Sequence, residues 1–276
     1  MNELTILISS CEKYSDLWDA NLHFLEQNWP DRAEETLLVT DAPTDRRYPH
    51  VEILCAGVDK EFTERLAAAL EQVKTPYLLF LLDDYFLTEK IDQEKLHQSV
   101  QFAAREKIDY IRLYPASRHY LHREGAKPFP EDPGYYLRDL REGEYKISLY
   151  PGIWKTEFMR RTLDRRLNAW QYEVSLTERA KELDAVCVIS NHRELPFLDV
   201  IRKGKLLHKA QRTLRNCGVE LPNRELMPRY AEMKIQLRTF LRHWLPRSIF
   251  LAGKKLGLKT GKSFYSPVQS ENKPQS

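Results

Sequence analysis

The sequence predicts an α/β fold, a mostly parallel sheet with right-handed crossovers and helices packed around it. Three observations carry that expectation. Short apolar runs, LTILIS at 4–9, TLLVT at 36–40, VEILC at 51–55 and YLLFLL at 77–82, read as strands buried on both faces. Helical periodicity recurs between runs, as at 61–73, where Phe62, Leu66, Ala69, Leu70 and Val73 fall on one face. Strand and helix alternate through the first 115 residues, as parallel neighbours require, because only a crossover can join them.

Each element has a local reason. Ser15 or Asp16 is placed to cap a helix through Leu17, Trp18, Leu22 and Leu25 that stops before Pro30. The strand at 36–40 runs into the acidic turn DAPTD, 41–45. After the strand at 77–82 come an amphipathic helix at 91–107 and a strand at 109–114. Residues 115–145 break the rhythm with Pro, Gly, charges and tyrosines, and read as a long binding loop or lid. A strand at 146–150, helices at 157–167 and 170–183 and a short strand at 185–190 follow, then a basic, partly helical stretch at 197–217. The expected division is a domain over 1–225, a basic amphipathic helical extension over 226–264 and a disordered tail over 265–276.

Composition narrows the class. With 276 residues, 42% hydrophobic and 30% charged, the chain can bury a substantial core. No run reaches the roughly 20 apolar residues that span a bilayer, and the opening MNELTILISSCEKY lacks the pattern of a secretory signal. Cys11, Cys55, Cys187 and Cys217 are far apart, which fits a reduced, cytoplasmic compartment better than a zinc site or disulfide framework. The net charge of +3 hides an asymmetry: residues 233–270 carry eight Lys or Arg and no Asp or Glu. The rest of the chain is therefore acidic, and with no nucleic-acid reading module beside the basic stretch, nucleic acid is not expected as a partner. Leu237, Leu241, Trp244 and Leu245 can share one helical face with Arg238 and Arg242 beside it, a pattern suited to peripheral contact with an anionic membrane.

The chemistry centres on Asp83 and Asp84, which follow the run at 77–82 directly. Ligands of open α/β sheets bind at the carboxyl ends of the strands. Two adjacent carboxylates there repel each other, and a proton or cation between them relieves the repulsion. Mg²⁺ is often held by one or two carboxylates together with substrate phosphates. The plainer reading is a turn or helix cap. The chain has neither a G-x-G-x-x-G after its first strand nor a Walker A sequence, and its first glycine is Gly57. A bound nucleotide would thus be held by side chains and a metal rather than a glycine cradle.

On three segments the sequence resembles the GT-A fold glycosyltransferases, in particular bacterial enzymes that build capsule and lipopolysaccharide sugars. TILISSCEKY, 5–14, is similar to the opening strand and turn over the nucleotide; LLVTDAPTD, 37–45, to the second strand and its acidic turn; VKTPYLLFLLDDYFL, 73–87, to the strand and D-x-D element. The resemblance implies a GT-A (Rossmann-like) mixed, mostly parallel sheet and a nucleotide-sugar donor contacted by Ser9, Ser10, Tyr14, Asp41, Asp83 and Asp84. It also implies Mn²⁺ or Mg²⁺ on Asp83 and Asp84, a glycan or lipid-linked acceptor, and inverting transfer. The chain departs from the pattern at Leu82-Asp83-Asp84-Tyr85, which has no strict D-x-D. Looser likeness at 148–159, 168–176 and 200–210 nominates Glu173 as the base. Sugar rings need flat apolar surfaces, for which Trp154, Trp170, Tyr135 or Tyr136 are the candidates, and Lys205, His208 and Lys209 are the basic residues that can replace the metal's charge. Two other classes compete: a non-catalytic relative that binds carbohydrate or a partner enzyme, and a nucleic-acid binder using the basic stretch.

Overall fold

The computed structural model describes residues 3–141 and 145–244. In chain order the strands are β1 (Leu4–Ser9), β2 (Glu35–Thr40), β3 (Val51–Cys55), β4 (Tyr77–Leu82), β5 (Tyr85–Phe86), β6 (Tyr110–Arg112), β7 (Lys127–Pro128), β8 (Tyr135–Leu137), β9 (Gly152–Lys155), β10 (Cys187–Ser190), β11 (Leu198–Asp199), β12 (Ile201–Arg202) and β13 (Lys205–Leu206). The helices are α1 (Trp18–Asn28), α2 (Phe62–Gln72), α3 (Gln93–Arg105), α4 (Arg118–Arg123), α5 (Thr156–Thr162), α6 (Ala169–Glu182), α7 (His208–Asn216) and α8 (Arg229–Trp244).

Nine strands form one mixed sheet in the order β3-β2-β1-β4-β9-β6-β10-β8-β7. From β3 to β4 every pair is parallel. β9 then runs antiparallel between β4 and β6, and β10 returns parallel to β6. The uniformly apolar reading of β1 and β4 holds, since β1 is buried throughout and β4 in all but its last residue. Helices cover both faces. Trp18, Leu22 and Leu25 of α1 pack with Leu96, Val100 and Phe102 of α3 on one side. On the other, α2, α5 and α6 bury Phe62, Leu66, Phe158, Met159, Tyr172 and Leu176. Burying each such side chain contributes about 1.5–3 kcal/mol.

β9 fits between β4 and β6 because residue 152 is glycine. A Cβ there would stand 2.8 Å from the Ile111 carbonyl oxygen and 2.9 Å from the Tyr110 ring.

Several expectations need correction. Neither Ser15 nor Asp16 caps the first helix: a 3₁₀ turn over Glu12–Leu17 leads into α1, with no side-chain cap. Residues 115–145 are not one structureless loop. They include α4 and the hairpin β7–β8, which closes the far edge of the sheet by pairing with β10. The strand expected at 146–150 falls instead at Gly152–Lys155, past Pro151, which cannot donate to a ladder. A third apolar cluster joins α1 and Phe86 to Leu198, Ile201, Leu206, Ala210, Leu214 and Leu221, so the basic 197–217 stretch docks on the sheet's carboxyl edge. Of the basic extension, α8 is described and touches α4. The rest of it, residues 245–264, and the tail at 265–276 lie outside the described residues. Among the described residues no helix is long and apolar enough to cross a membrane.

Candidate active site

β4 ends at the centre of the carboxyl edge, and its turn is pinned on every side. The Asp83 N–H donates to the Ser9 carbonyl (3.3 Å) at the end of β1. Asn21 of α1 donates through Nδ2 to the carbonyls of Asp83 and Tyr85, both at 3.0 Å. The Val200 N–H donates to the Asp84 carbonyl at 3.0 Å, and β5 pairs with β11 so that Tyr85 faces Asp199. The turn holding the two aspartates is thus fixed by β1, α1 and the chain beyond β11.

The carboxylates themselves differ. Asp83 is buried, and its Oδ2 accepts a very short hydrogen bond from Ser10 Oγ. Ser10 Oγ in turn accepts from Trp18 Nε1 at 2.7 Å. Asp84 has a buried Oδ1 with no hydrogen-bond partner. Burial pushes the Asp83 carboxyl up to about 7, against the Ser10 hydrogen bond and the Arg224 charge. Burial and the charges of Asp83 and Asp199 push Asp84 well above the ordinary carboxylate range. Both groups therefore hold protons more tightly than an ordinary aspartate, and a cation that displaced the protons would relieve the same unfavourable charge.

Two arginines bound the site, and sequence reading singled out neither. Arg202 donates to Asp199 (Nη2 to Oδ2, 2.6 Å), and its charge also acts on Tyr150. Arg224 grips Asp16 with Nε (2.6 Å) and Nη2, donates to the Lys13 carbonyl at 2.9 Å and lies 4.6 Å from the Tyr14 ring centroid. Asp16, expected as a helix cap, is instead Arg224's partner.

The nominated donor residues gather on the β1–β2 side. Ser9 is buried, with its Oγ unpartnered. Asp41 accepts from the Glu12 N–H at 2.7 Å. Cys11 lies between the two acidic turns, its thiol pushed up by burial and by the charges of Asp83 and Asp41. The Tyr14 phenol is pushed up by burial and by Asp83 and Asp84. Glu173 of α6 accepts from the Leu149 N–H at 3.1 Å. Burial, and then the charges of Asp84, Tyr150, Asp199 and Glu173, push the Tyr85 phenol up.

The other nominated residues are placed differently, and the buried ones do not fit their expected roles. Trp154 is fully buried among Tyr110, Phe80 and Phe158, so it offers no face to a sugar. Tyr135 is likewise buried, stacked on Phe102, and Tyr136 packs beside Tyr120 and Leu121. Trp170 stands 64% exposed at the start of α6 and shows no ring contact among the described residues. Lys205 is paired with Glu225 at 2.5 Å. His208 lies against Glu232, to which its N–H donates at 3.2 Å. Lys209 stands exposed on α7 with no ion pair among the described residues. None of these three is shown facing the aspartates. The aromatic side chains at the site are Tyr85, Tyr114, Tyr150 and Phe197, whose ring centroids lie 5.0–6.5 Å apart. Their signal in the sequence was weak, since Tyr114, Tyr150 and Phe197 each stand one or two residues outside a strand, Tyr85 opens a strand of two residues, and none has its ring partners near it in sequence.

A divalent cation fits this donor set in a limited way. Among the described residues no group of three or more His, Cys, Asp or Glu gathers as a metal cage. The unpartnered Asp84 Oδ1 beside Asp83 instead matches a hard cation that takes its remaining oxygens from a phosphate ligand.

No family model and no curated protein matches the chain. Solved structures of similar course include S. aureus TarS 1–349, at TM-score 0.47 and 15% identity, covering 71% of this chain and 60% of that one. The mannosyltransferase PcManGT from Pyrobaculum calidifontis, in complex with GDP-Man and Mn²⁺, aligns at TM-score 0.49 and 13% identity, covering 73% of this chain and 58% of that one. Bifunctional IspDF from Campylobacter jejuni aligns at TM-score 0.42 and 15% identity, covering 72% and 52%. The chain spans about half to three-fifths of the length of these proteins, and at such values they assign it no activity.

Proposed function

We propose that the chain is a GT-A glycosyltransferase that moves a sugar from a nucleotide-sugar donor to a glycan or lipid-linked acceptor, with inversion. One observation carries the reading: at the carboxyl end of β4, a buried Asp83 stands next to Asp84, which has a buried, unpartnered oxygen, beside the turn after β1 that contains Ser10 and Tyr14 and the turn after β2 that contains Asp41. The chain's own groups divide the work. Ser10 holds Asp83 in place, while Asp41 and Tyr14 border the space for base and ribose. Asp83 and Asp84 would hold Mg²⁺ or Mn²⁺, which supplies Lewis-acid stabilisation to the departing diphosphate. Glu173 takes the proton of the acceptor hydroxyl as that oxygen bonds the anomeric carbon and the bond to the diphosphate breaks. Arg202 keeps Asp199 paired close to the reacting groups.

Bacterial cell-surface polysaccharide assembly is the setting that the sequence resemblance suggests. The fold adds support for work at the inner face of a membrane, where lipid-linked acceptors are reached: Tyr230, Met233 and Leu237 are exposed on α8, with Lys234 and Arg238 beside them. Co-sedimentation of the full chain with anionic vesicles tests this. Binding that survives Lys234→Glu with Arg238→Glu removes it.

The central test is a thermal-shift screen of nucleoside diphosphates and their sugars, with and without Mg²⁺ or Mn²⁺. A ligand that binds the native state raises the midpoint. A metal-dependent rise with one nucleoside diphosphate, lost in Asp84→Asn, is the expected result. No rise with any of them would leave the non-catalytic, carbohydrate-binding reading.

A further inference from the structure

We infer that Tyr114, Tyr150 and Phe197, backed by Tyr85 and Arg112, form a stacking platform for a pyranose ring of the acceptor. The inference rests on the glycosyltransferase reading and deepens it.

Position comes first. The four rings arrive from four separate places: Tyr85 directly after Asp84, Tyr114 after β6, Tyr150 after the Leu149 N–H that binds Glu173, and Phe197 before β11. They meet beside three carboxylates: Asp84 directly precedes Tyr85, Asp199 pairs with Tyr85 across β5 and β11, and Glu173 accepts from the N–H of the residue before Tyr150. In the sheet, β1 and β2, which present Ser10 and Asp41, lie on one side of β4, and β9 and β6 lie on the other. The aspartate pair therefore separates a polar half at Ser10 and Asp41 from an aromatic half at Tyr114 and Tyr150. A nucleotide on the polar half leaves the aromatic half for the second substrate.

The geometry is that of a prepared surface. Tyr114 and Tyr150 stack with centroids 5.0 Å apart and planes 16° from parallel. The Arg112 guanidinium carbon lies 5.1 Å from the Tyr114 centroid and 5.3 Å from that of Tyr150. Phe197 meets Tyr85 edge-on at 5.0 Å and lies 5.6 Å from Tyr114. Rings held on several sides lose little freedom when a ligand arrives. Yet Tyr114 remains 43% exposed, while Tyr150, Tyr85 and Phe197 are half-buried. Tyr114 thus leaves part of its ring open beside the carboxylates.

The chemistry selects the occupant. The axial C–H groups of a pyranose make one face of the ring apolar and slightly positive, which suits the negative face of an aromatic ring. Its hydroxyls point outward, where the Asp199–Arg202 ion pair stands close to Tyr85, Asp199 pairing with Tyr85 across β5 and β11. A few polar groups around an aromatic floor is the usual make-up of a site that orients a small ligand.

The test uses the full chain and three probes: methyl β-D-glucopyranoside, methyl β-D-galactopyranoside and methyl α-D-mannopyranoside. Binding is read by saturation-transfer NMR, alongside the thermal shift given by a nucleoside diphosphate with Mg²⁺. Wild type should bind at least one glycoside. Tyr114→Ala should weaken that binding about tenfold, Tyr114→Phe should keep it within about threefold, and both should keep the nucleotide shift. Phe197→Ala supplies a second variant, should Tyr114→Ala fail to fold, and should also weaken glycoside binding. Binding of no glycoside, undiminished glycoside binding in both alanine variants, or loss of the nucleotide shift in a folded Tyr114→Ala would each overturn the platform. Glycoside binding that depends on Tyr114 in a protein that no nucleotide stabilises would uphold the platform and defeat the transferase reading alone.

Discussion

The two halves of the sheet's carboxyl edge are built by different means. From β3 to β4 the strands are parallel and register with one another residue by residue. Each strand end there delivers one short turn, and the contacts are polar: Ser10 to Asp83, Glu12 N–H to Asp41, Asp83 N–H to Ser9. From β9 to β7 the strands reverse direction repeatedly and are drawn from residues 110–190 out of sequence order. That half offers the site rings rather than turns. Backbone register positions charge on the first side, and packed side chains shape a surface on the second.

The comparison can be broken most directly at its boundary. Asp84→Ala should lower kcat/KM by about 10³-fold or more, the scale lost when an electrostatic stabiliser of the transition state is removed. It should not lower the melting temperature of the ligand-free protein, because a buried, unpartnered carboxylate costs stability. A melting temperature lowered along with the rate would make Asp84 structural. Glu173→Gln should lower kcat by about 10²-fold and leave the nucleotide-induced thermal shift intact. If KM for the donor rises instead, Glu173 belongs to the polar half.

Gly152→Ala probes the seam where the two halves meet. Overpacking against Ile111 and Tyr110 should cost about 1–3 kcal/mol in urea denaturation. An unchanged midpoint would mean that β9 has room to shift.

The smallest expected effect is one of pH. Burial raises the folded Asp83 carboxyl to about 7 and, with the charge of Asp83, holds Asp84 well above the ordinary carboxylate range, against about 4 for both when unfolded. Between those values the folded state binds more protons, so ligand-free stability falls as pH rises from about 4 to 7. Mg²⁺ competes with those protons, so its stabilising effect should be greater at pH 8 than at pH 5. Melting curves at four pH values, with and without Mg²⁺, would show it, and a flat profile would mean the pair is more hydrated than its burial indicates.

The polar half was legible in the sequence because its signals are local. Apolar runs mark β1, β2 and β4, and Ser10, Asp41, Asp83 and Asp84 follow within one or two residues of a strand end. The aromatic half was not. β6, β8 and β9 have only three or four residues each, too short to show a period, and they acquire meaning only once paired. Trp154 attracted attention as a large aromatic beside a strand, but its alternation places it inward, opposite Tyr110. Tyr114 and Phe197 are 83 positions apart in the chain, and no local pattern brings them together. The same holds for Arg202, whose partner Asp199 is local but whose action on Tyr150 is not.

The clasp between Arg224 and Asp16 spans 208 positions along the chain. It closes over Tyr14, on the polar half, with a residue made long after the sheet beneath it. A ribosome that has finished β1 to β10 has therefore made every carboxylate nominated for catalysis but not the arginine that fastens the wall beside them. Synthesis itself sets an order of events: the polar half of the edge is completed only when the polypeptide has passed residue 224, and a product that stopped short of it would carry the carboxylates without the clasp.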